Sequence, residues 1–293
     1  MALRRRAGLG ENGYGERMSA DAATPSSRPI AEGADWRVVE VTCRAGPADP
    51  VFEERHDWTS IGAVLEGTFT YRTVQGRALM TPGGMLLGRA GACFECGHEH
   101  GRGDRCVAFH FAPALFEETV AGLKGARRTR FERAALPPLH SLLPLLDQAA
   151  NLAETPNPLG AEQLALSVAG LALALNADGE EPFVGARDLA SAADAVHIIE
   201  ARYAEPLTIA GLARDVGLSR RRFAAVFKRA VGASPYNYIL NRRLRAAAGR
   251  LRACEGSVLH IALDCGFGDL SEFTRGFCAR FGRPPGAYRR GTA

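Results

Sequence analysis

Between about Leu207 and Tyr288 one short unit is written twice, and this repetition constrains the fold more than any other feature of the 293 residues. The first copy reads Leu212-Ala213-Arg214-Asp215-Val216-Gly217-Leu218, then Phe223, Phe227, Gly232, Pro235 and Tyr238. The second reads Ile261-Ala262-Leu263-Asp264-Cys265-Gly266-Phe267, then Phe273, Phe277, Gly282, Pro285 and Tyr288. The offset is 49 positions before the glycine turn and 50 after it, because Gly268 adds one residue to the second turn. Such self-similarity is one supersecondary unit used twice. Each copy, 207–231 and 257–281, has an apolar-patterned helix, a Gly-containing turn and a second helix, the layout of a helix-turn-helix.

The residue types suit that layout. Gly217 and Gly266 fall where the first helix must end at positive φ, a region glycine enters without steric cost. Ser219 and Asp269 are then placed as N-caps of the second helix. Phe223, Phe227 and Val231 recur at i, i+4, i+8, as do Phe273, Phe277 and Phe281, and these stripes are expected to face a core. Arg220, Arg221, Arg222, Lys228 and Arg229 are left for the outer face of the first copy, and Ser271, Thr274, Arg275 and Arg280 for that of the second. A solvated face is the plain reading of such arginines. Their concentration on two equivalent helices favours contact with DNA.

Charge is distributed to match. From Asp188 to Ala293 there are 17 Lys and Arg against 9 Asp and Glu, a balance of +8 that leaves −4 for the preceding residues out of the overall +4. A basic C-terminal block on a mildly acidic N-terminal one fits nucleic-acid binding at one end. The length is enough for two domains with cores of their own. No uninterrupted apolar run approaches the ~20 residues that span a bilayer, and Arg4-Arg5-Arg6 precedes no apolar segment of the kind a signal peptide needs. Seven cysteines without a regular framework suggest a reducing, cytoplasmic setting.

Residues 1–30 are rich in Gly, Ala, Ser, Arg and Pro without periodicity and are expected to be a disordered tail. From Trp36 to Phe111 short alternating runs take over: Arg37 to Val41, Ile61 to Leu65, Thr68 to Arg72, Met85 to Leu87 and Cys106 to Phe111. Turns at Glu66-Gly67, Gln75-Gly76 and Pro82-Gly83-Gly84 separate them. Many short strands at this spacing argue for a small barrel or jelly roll over 31–113.

Within that region Cys96, His98, His100 and Cys106 can carry chemistry, with Cys93 just before them. Thiolate and imidazole together suit zinc. In a strand alternate residues share a face, so Cys96, His98 and His100 can converge. The spacing is not a standard zinc pattern, and a reduced structural cluster is the competing reading. His56, near the start of the barrel, is either a pocket residue or a hydrogen-bonded structural histidine.

From 114 to 178 the period becomes helical. Leu164, Val168, Leu171 and Leu175 make one apolar stripe, and Leu139, Leu142, Leu143, Leu145 and Leu146 another. They serve either self-association into a homodimer or packing on the barrel. Gly179, Pro182 and Gly185 mark a linker at 179–190. Beyond it, from 191, Val196, Ile199 and Tyr203 line a first helix. Between the two repeats, 235–252 reads as a connecting helix with Tyr236, Leu240, Leu244, Ala247 and Leu251 buried and Arg242, Arg243, Arg245, Arg250 and Arg252 outside. Its length, about 27 Å at 1.5 Å per residue, suits two recognition helices held about one DNA turn apart.

The stretch Ile261 to Phe277, ending in Phe281-Gly282-Arg283-Pro284-Pro285-Gly286-Ala287-Tyr288-Arg289, closely resembles the DNA-binding domain of the AraC/XylS family of bacterial transcription regulators. The resemblance covers roughly 194–290. It implies an all-α domain of seven helices with two helix-turn-helix units. It also implies a cupin-like N-terminal β-barrel with dimerising helices, so that the whole is an α+β two-domain chain. Phe94 stands about where a cupin ligand histidine is expected. Carried over by position, base contacts fall on Arg221, Ala224 and Ala225 in the first unit and on Leu270, Ser271 and Arg275 in the second. Arg220, Arg222 and Lys228 are assigned to phosphates, with Thr274 and Arg280 as further contacts of that kind.

The expectation is a regulator, by resemblance an activator working with RNA polymerase, that reads double-stranded DNA at its C-terminal end. A small-molecule or redox effector would act at the other end. No catalytic residue, cofactor or membrane attachment is expected, zinc at the Cys/His cluster apart. The competing class is a cupin-type metalloenzyme or a metal- or redox-sensing protein built on that cluster.

Overall fold

The computed structural model describes residues 25–122, 130–176 and 183–291. Ten strands come first: β1 (Ser26–Glu32), β2 (Trp36–Cys43), β3 (Phe52–Arg55), β4 (Thr59–Gly67), β5 (Phe69–Thr73), β6 (Gly76–Met80), β7 (Met85–Gly88), β8 (Cys93–Gly97), β9 (Asp104–Phe111) and, after a helix, β10 (Ala135–Leu136). They form two antiparallel sheets, one in the order β1-β2-β9-β4-β7-β10 and one in the order β3-β8-β5-β6. β4 is the centre of the larger sheet and six successive residues, Thr59 to Val64, are buried. Burial on both faces of a strand replaces the usual alternation by a continuous apolar run, and Ile61-Gly62-Ala63-Val64 is such a run.

The tail expected at 1–30 is corrected at its C-terminal end: Ser26–Glu32 is strand β1, paired antiparallel with β2. Residues 1–24 lie outside the described residues. β1 shows little periodicity because it is an edge strand with mostly exposed side chains. It is held by the backbone ladder and by Arg28, which donates to Glu40 at 2.9 and 2.7 Å and to the Ala153 carbonyl at 2.8 Å. Pro29 is tolerated at such an edge, and the register shifts between Pro29 and Ala31.

Helices α1 (Pro113–Gly122), α2 (Leu143–Glu154) and α3 (Pro158–Leu175) cover the larger sheet. Ala161, Leu164, Ala165, Val168, Ala169 and Ala172 of α3 join Val38, Ile61, Phe109 and Phe111 in one core. Leu142 and Leu146 of the second leucine run enter the same core, with Leu139 and Leu145 packed against it. Most of both leucine faces is therefore buried within the chain. By length and composition α3 would pass for a membrane span, which the sequence reading did not anticipate, yet its Ala161-to-Ala172 face packs on the barrel.

Seven helices follow: α4 (Ala186–Arg202), α5 (Ile209–Asp215), α6 (Arg220–Val231), α7 (Pro235–Arg252), α8 (Val258–Asp264), α9 (Leu270–Phe281) and α10 (Pro285–Arg290). α4 starts inside the expected 179–190 linker; residues 177–182 lie outside the described residues. Two cores divide the domain. One gathers α4, Leu212, Phe223, Phe227, Val231, Tyr238 and Ile239; the other gathers Leu244, Ala247, Leu251, Ile261, Phe273, Phe277 and Tyr288. α7 thus gives its first half to one unit and its second half to the other. Tyr238, not Tyr236, is the buried tyrosine at its start; Tyr236 is 61% exposed. Both lie within one turn of the helix N-terminus, and only the position of α6 decides which is covered.

Candidate nucleic-acid interface and sensor sites

The two turns are built alike. Gly217 sits at φ +69° and Gly266 at +86°. Ser219 Oγ accepts the Arg222 amide at 3.4 Å, and Asp269 Oδ1 accepts the Glu272 amide at 2.7 Å. Each cap satisfies one of the orphan donors of a helix start. Glu272 Oε2 also accepts the Gly268 amide at 3.3 Å, so the extra glycine of the second turn is bound by the helix it precedes. Behind the turns the phenylalanines pack at a tilt on each other and edge to face on the tyrosines. Phe223 and Phe227 have centroids 5.7 Å apart and Phe227 and Tyr238 5.7 Å; Phe273 and Phe277 are 5.5 Å apart and Phe277 and Tyr288 5.2 Å.

On α6, Arg220, Arg221, Arg222 and Ala225 are exposed and Ala224 is half-buried. Three arginines in the first turn oppose the helix dipole, which favours negative charge there. Helix stability therefore does not account for them, whereas an anion bound at that end would. Arg222 is already engaged: it donates to Asp188 of α4 at 2.8 Å, and Arg229 reaches the same carboxylate at 3.1 Å. Lys228 is exposed and borders a cleft toward the barrel. On α9, Leu270, Ser271 and Arg275 are exposed and Thr274 is half-buried. Arg221 and Arg275 have no hydrogen bond or ion pair among the described residues. Arg280 departs from the expected outward placement. It turns back to Asn241 Oδ1 at 3.2 Å and to the Gly276 carbonyl at 3.4 Å, and burial lowers its pKa.

The arginines of α7, expected to decorate its outer face, are engaged within the molecule, Arg250 at the surface and the others against neighbouring elements. Arg242 and Arg245 reach Glu200 of α4 at 2.5 and 2.9 Å, and Arg243 donates to the carbonyls of Tyr203 and Glu205 at 2.8 Å each. Arg250 pairs with Glu255 and Asp264. Arg252 crosses to the N-terminal half, where it pairs with Asp147 of α2 and lies 3.7 Å from Glu154. Asp147 also accepts the hydroxyl of Tyr288. Its carboxyl is buried and its pKa is raised: desolvation outweighs the opposing pull of Arg252 and Tyr288.

A cleft of about 510 Å³ separates the barrel from the first unit. Leu79, Met80, Leu136, Val184, Leu189 and Val231 give it apolar walls, and Arg77, Arg133, Lys228 and Arg229 line it with positive charge.

Inside the barrel His56 lies stacked on Phe94, with centroids 4.1 Å apart, and its Nε2 is 2.8 Å from the Tyr71 hydroxyl. Burial lowers its pKa to about 4, so it is neutral near pH 7. His110 Nδ1 meets Ser60 Oγ at 2.8 Å, and its pKa falls to about 3 through burial and then through Arg37 and His56.

The four residues grouped from the sequence as a ligand set do not all meet. His98 Nε2 donates to Asp104 Oδ2 at 2.7 Å. Burial alone would push the His98 pKa down, but the bonds to Asp104 and Cys43 raise it to about 9. The Cys106 thiol donates to Asp104 Oδ1 at 3.3 Å. Cys96 and Cys106 are both held protonated by burial and then by the Asp104 charge. His100 is not part of this group; it lies toward His197 of α4, whose pKa is lowered first by burial, and Thr68 Oγ1 is 2.7 Å from His197 Nε2. Cys43 and Asp104 were missed. They are cross-strand partners at the end of the β2–β9 ladder, so the signal for them is strand register, and the local spacing around Cys96 does not carry it.

Two family descriptions match the chain: an AraC-like ligand binding domain over residues 38–169 and a helix-turn-helix domain over 212–291. The virulence regulon transcriptional activator VirF of Yersinia enterocolitica is 25% identical over 256 residues, 83% of this chain and 93% of VirF. The HTH-type transcriptional regulator ArgR of Pseudomonas aeruginosa is 35% identical over 91 residues, 31% of this chain and 28% of ArgR. Against regulators matched in this shorter way the chain spans 24% to 34% of the relative's own length. A crystal structure of an AraC-type transcriptional regulator from Chromobacterium violaceum covers 37% of this chain and 97% of its own at 32% identity, with a TM-score of 0.35. At that score the overlay does not bear on how the parts are arranged. With both halves matched in the order of the family, on a barrel followed by two helix-turn-helix units, the chain belongs to the AraC family of helix-turn-helix transcription regulators.

Proposed function

We propose that this protein is a sequence-specific DNA-binding transcription regulator, an activator, that acts by binding and not by catalysis. The observation that carries the reading is the pair of exposed arginines, Arg221 and Arg275, on the second helices of two units built on one connecting helix. Arg275 and Ser271 supply hydrogen-bonding groups to base edges, and Arg275 suits a guanine O6/N7 pair. Arg221 offers the same contact from the first unit, where Ala224 and Ala225 can only meet a thymine methyl. Arg220 is placed for phosphate. Arg222 has to leave Asp188 before it can serve. Homodimerisation and contact with RNA polymerase belong to this reading as partners.

The effector of the reading is a small amphipathic anion seated in the cleft between the barrel and the first unit. Its apolar part would meet Leu79, Leu136 and Val231, and its charge would meet the cationic side chains that line the cleft. A ligand there touches both halves of the molecule and so can bias their docking. Capture of genomic fragments on the full chain, followed by sequencing, tests the DNA reading. Enrichment of a shared motif that Arg275→Ala no longer selects is the expected result, and indiscriminate capture by both forms contradicts it.

A further inference from the structure

We propose that Cys43, His98 and Asp104 form a zinc site of three protein ligands at one end of the barrel. Their donor atoms lie within 4.8 Å of one another. They arrive from three places in the chain: the last residue of β2, the residue after β8 and the first residue of β9. Ligands on one tetrahedral zinc sit about 3.3–3.8 Å apart, given bond lengths of about 2.0–2.3 Å. Reaching that spacing takes a tightening of the set by at most about 1–1.5 Å, and the His98–Asp104 hydrogen bond is exchanged for two bonds to the ion. Cys106, bonded to Asp104 Oδ1 at 3.3 Å, lies beside this set without joining it.

The donor types fit zinc better than the hard cations: thiolate and imidazole are borderline-soft, and one carboxylate is too few for calcium or magnesium. Burial supports the assignment as well. The Asp104 side chain is 8% exposed and that of His98 2%, and Cys43 and Cys106 are buried beside them. His98 already meets the Asp104 charge, and zinc would enter by displacing the proton between the two. The site also has a route to the rest of the molecule. The segment that follows His98 runs to Gly101, which packs against Thr68 and His197 of α4. Ordering His98 therefore bears on a contact between the two halves. The site does not depend on the DNA-binding reading and is tested without DNA.

The full chain, stripped with a chelator and kept reduced, is titrated with Zn2+ and separately with Co2+. One ion per chain and a thiolate-to-cobalt charge-transfer absorption are expected. Cys43→Ser and Asp104→Asn should each weaken Zn2+ binding at least tenfold, while Cys254→Ser, at an exposed cysteine outside the cluster, should bind as the parent does. Because Cys43→Ser can misfold, the parent chain gives a second readout: Zn2+ should slow alkylation of Cys43 and leave Cys254 unaffected, as mapped by mass spectrometry. A folded parent chain that takes up no ion, a cobalt spectrum without the thiolate band, or equal losses in Cys43→Ser and Cys254→Ser would overturn the site.

Discussion

The two helix-turn-helix units close on equivalent tyrosines, but the tyrosines are bonded to different parts of the protein. Tyr238 of the first unit donates to Glu200, on α4 of the same domain, at 2.8 Å. Tyr288 of the second donates to Asp147, on α2 of the sensor half. Arginines of α7 follow the same division: Arg242 and Arg245 go to Glu200, Arg252 to Asp147. A repeated sequence has thus produced one unit whose tyrosine finds its carboxylate within its own domain and one whose tyrosine borrows a carboxylate from the N-terminal half. The difference teaches that duplication fixes the fold of a unit but not its dependence on neighbours. The second unit is the one whose position the sensor half can set through a buried charge. The first meets the sensor across the cleft and at Gly232 against Pro137.

The largest effect should come from cutting that buried charge. Asp147→Ala strands Arg252, whose side chain is 10% exposed, and should lower stability by about 3–5 kcal/mol. Glu200→Ala, at a carboxylate 23% exposed, should cost less, on the order of 1–3 kcal/mol. Denaturant midpoints of the full chain decide, and equal losses would break the comparison. Next in size, Arg275→Ala should lose about 1–3 kcal/mol on its specific site and little on random DNA; fluorescence anisotropy on both duplexes separates the two. Smaller still are the caps. Asp269→Ala, which removes a short bond in the turn that Glu272 also closes, should cost about 1–2 kcal/mol, and Ser219→Ala, with a 3.4 Å bond, less than about 1. Thermal unfolding of the two variants gives the order. The smallest effect belongs to Arg222→Ala. Its exposed pair with Asp188 is worth no more than about 1 kcal/mol. The salt slope of DNA binding should stay unchanged, whereas Arg220→Ala should reduce it by about one.

What the sequence made legible was local. The helix period, the positive-φ glycines 217 and 266 and the caps 219 and 269 are all set within a few residues, and the structure shows each of them. Several barrel strands were legible because alternation is a local signal too. Pairing across distance was not. β1 is a strand only because β2 offers it an edge. Tyr238 is buried in place of Tyr236 because of where α6 lies. The α7 arginines look like a solvated or DNA-facing surface until Glu200, Glu255 and Asp147 are placed beside them. The same holds for the candidate sites. Arg221 and Arg275 are exposed, as their helix positions imply. The Cys/His group drew on spacing along one segment, whereas the donors that converge are joined by the Cys43–Asp104 register.

The most direct test of the account is a hydroxyl-radical footprint of the full chain on a duplex recovered from its own genomic fragments. Two protected segments on one side of the duplex, centred about one helical turn apart, are predicted, with the one assigned to the second unit fading in Arg275→Ala. A single protected segment, or protection wrapping opposite sides of the duplex, would contradict the claim that both units read DNA together.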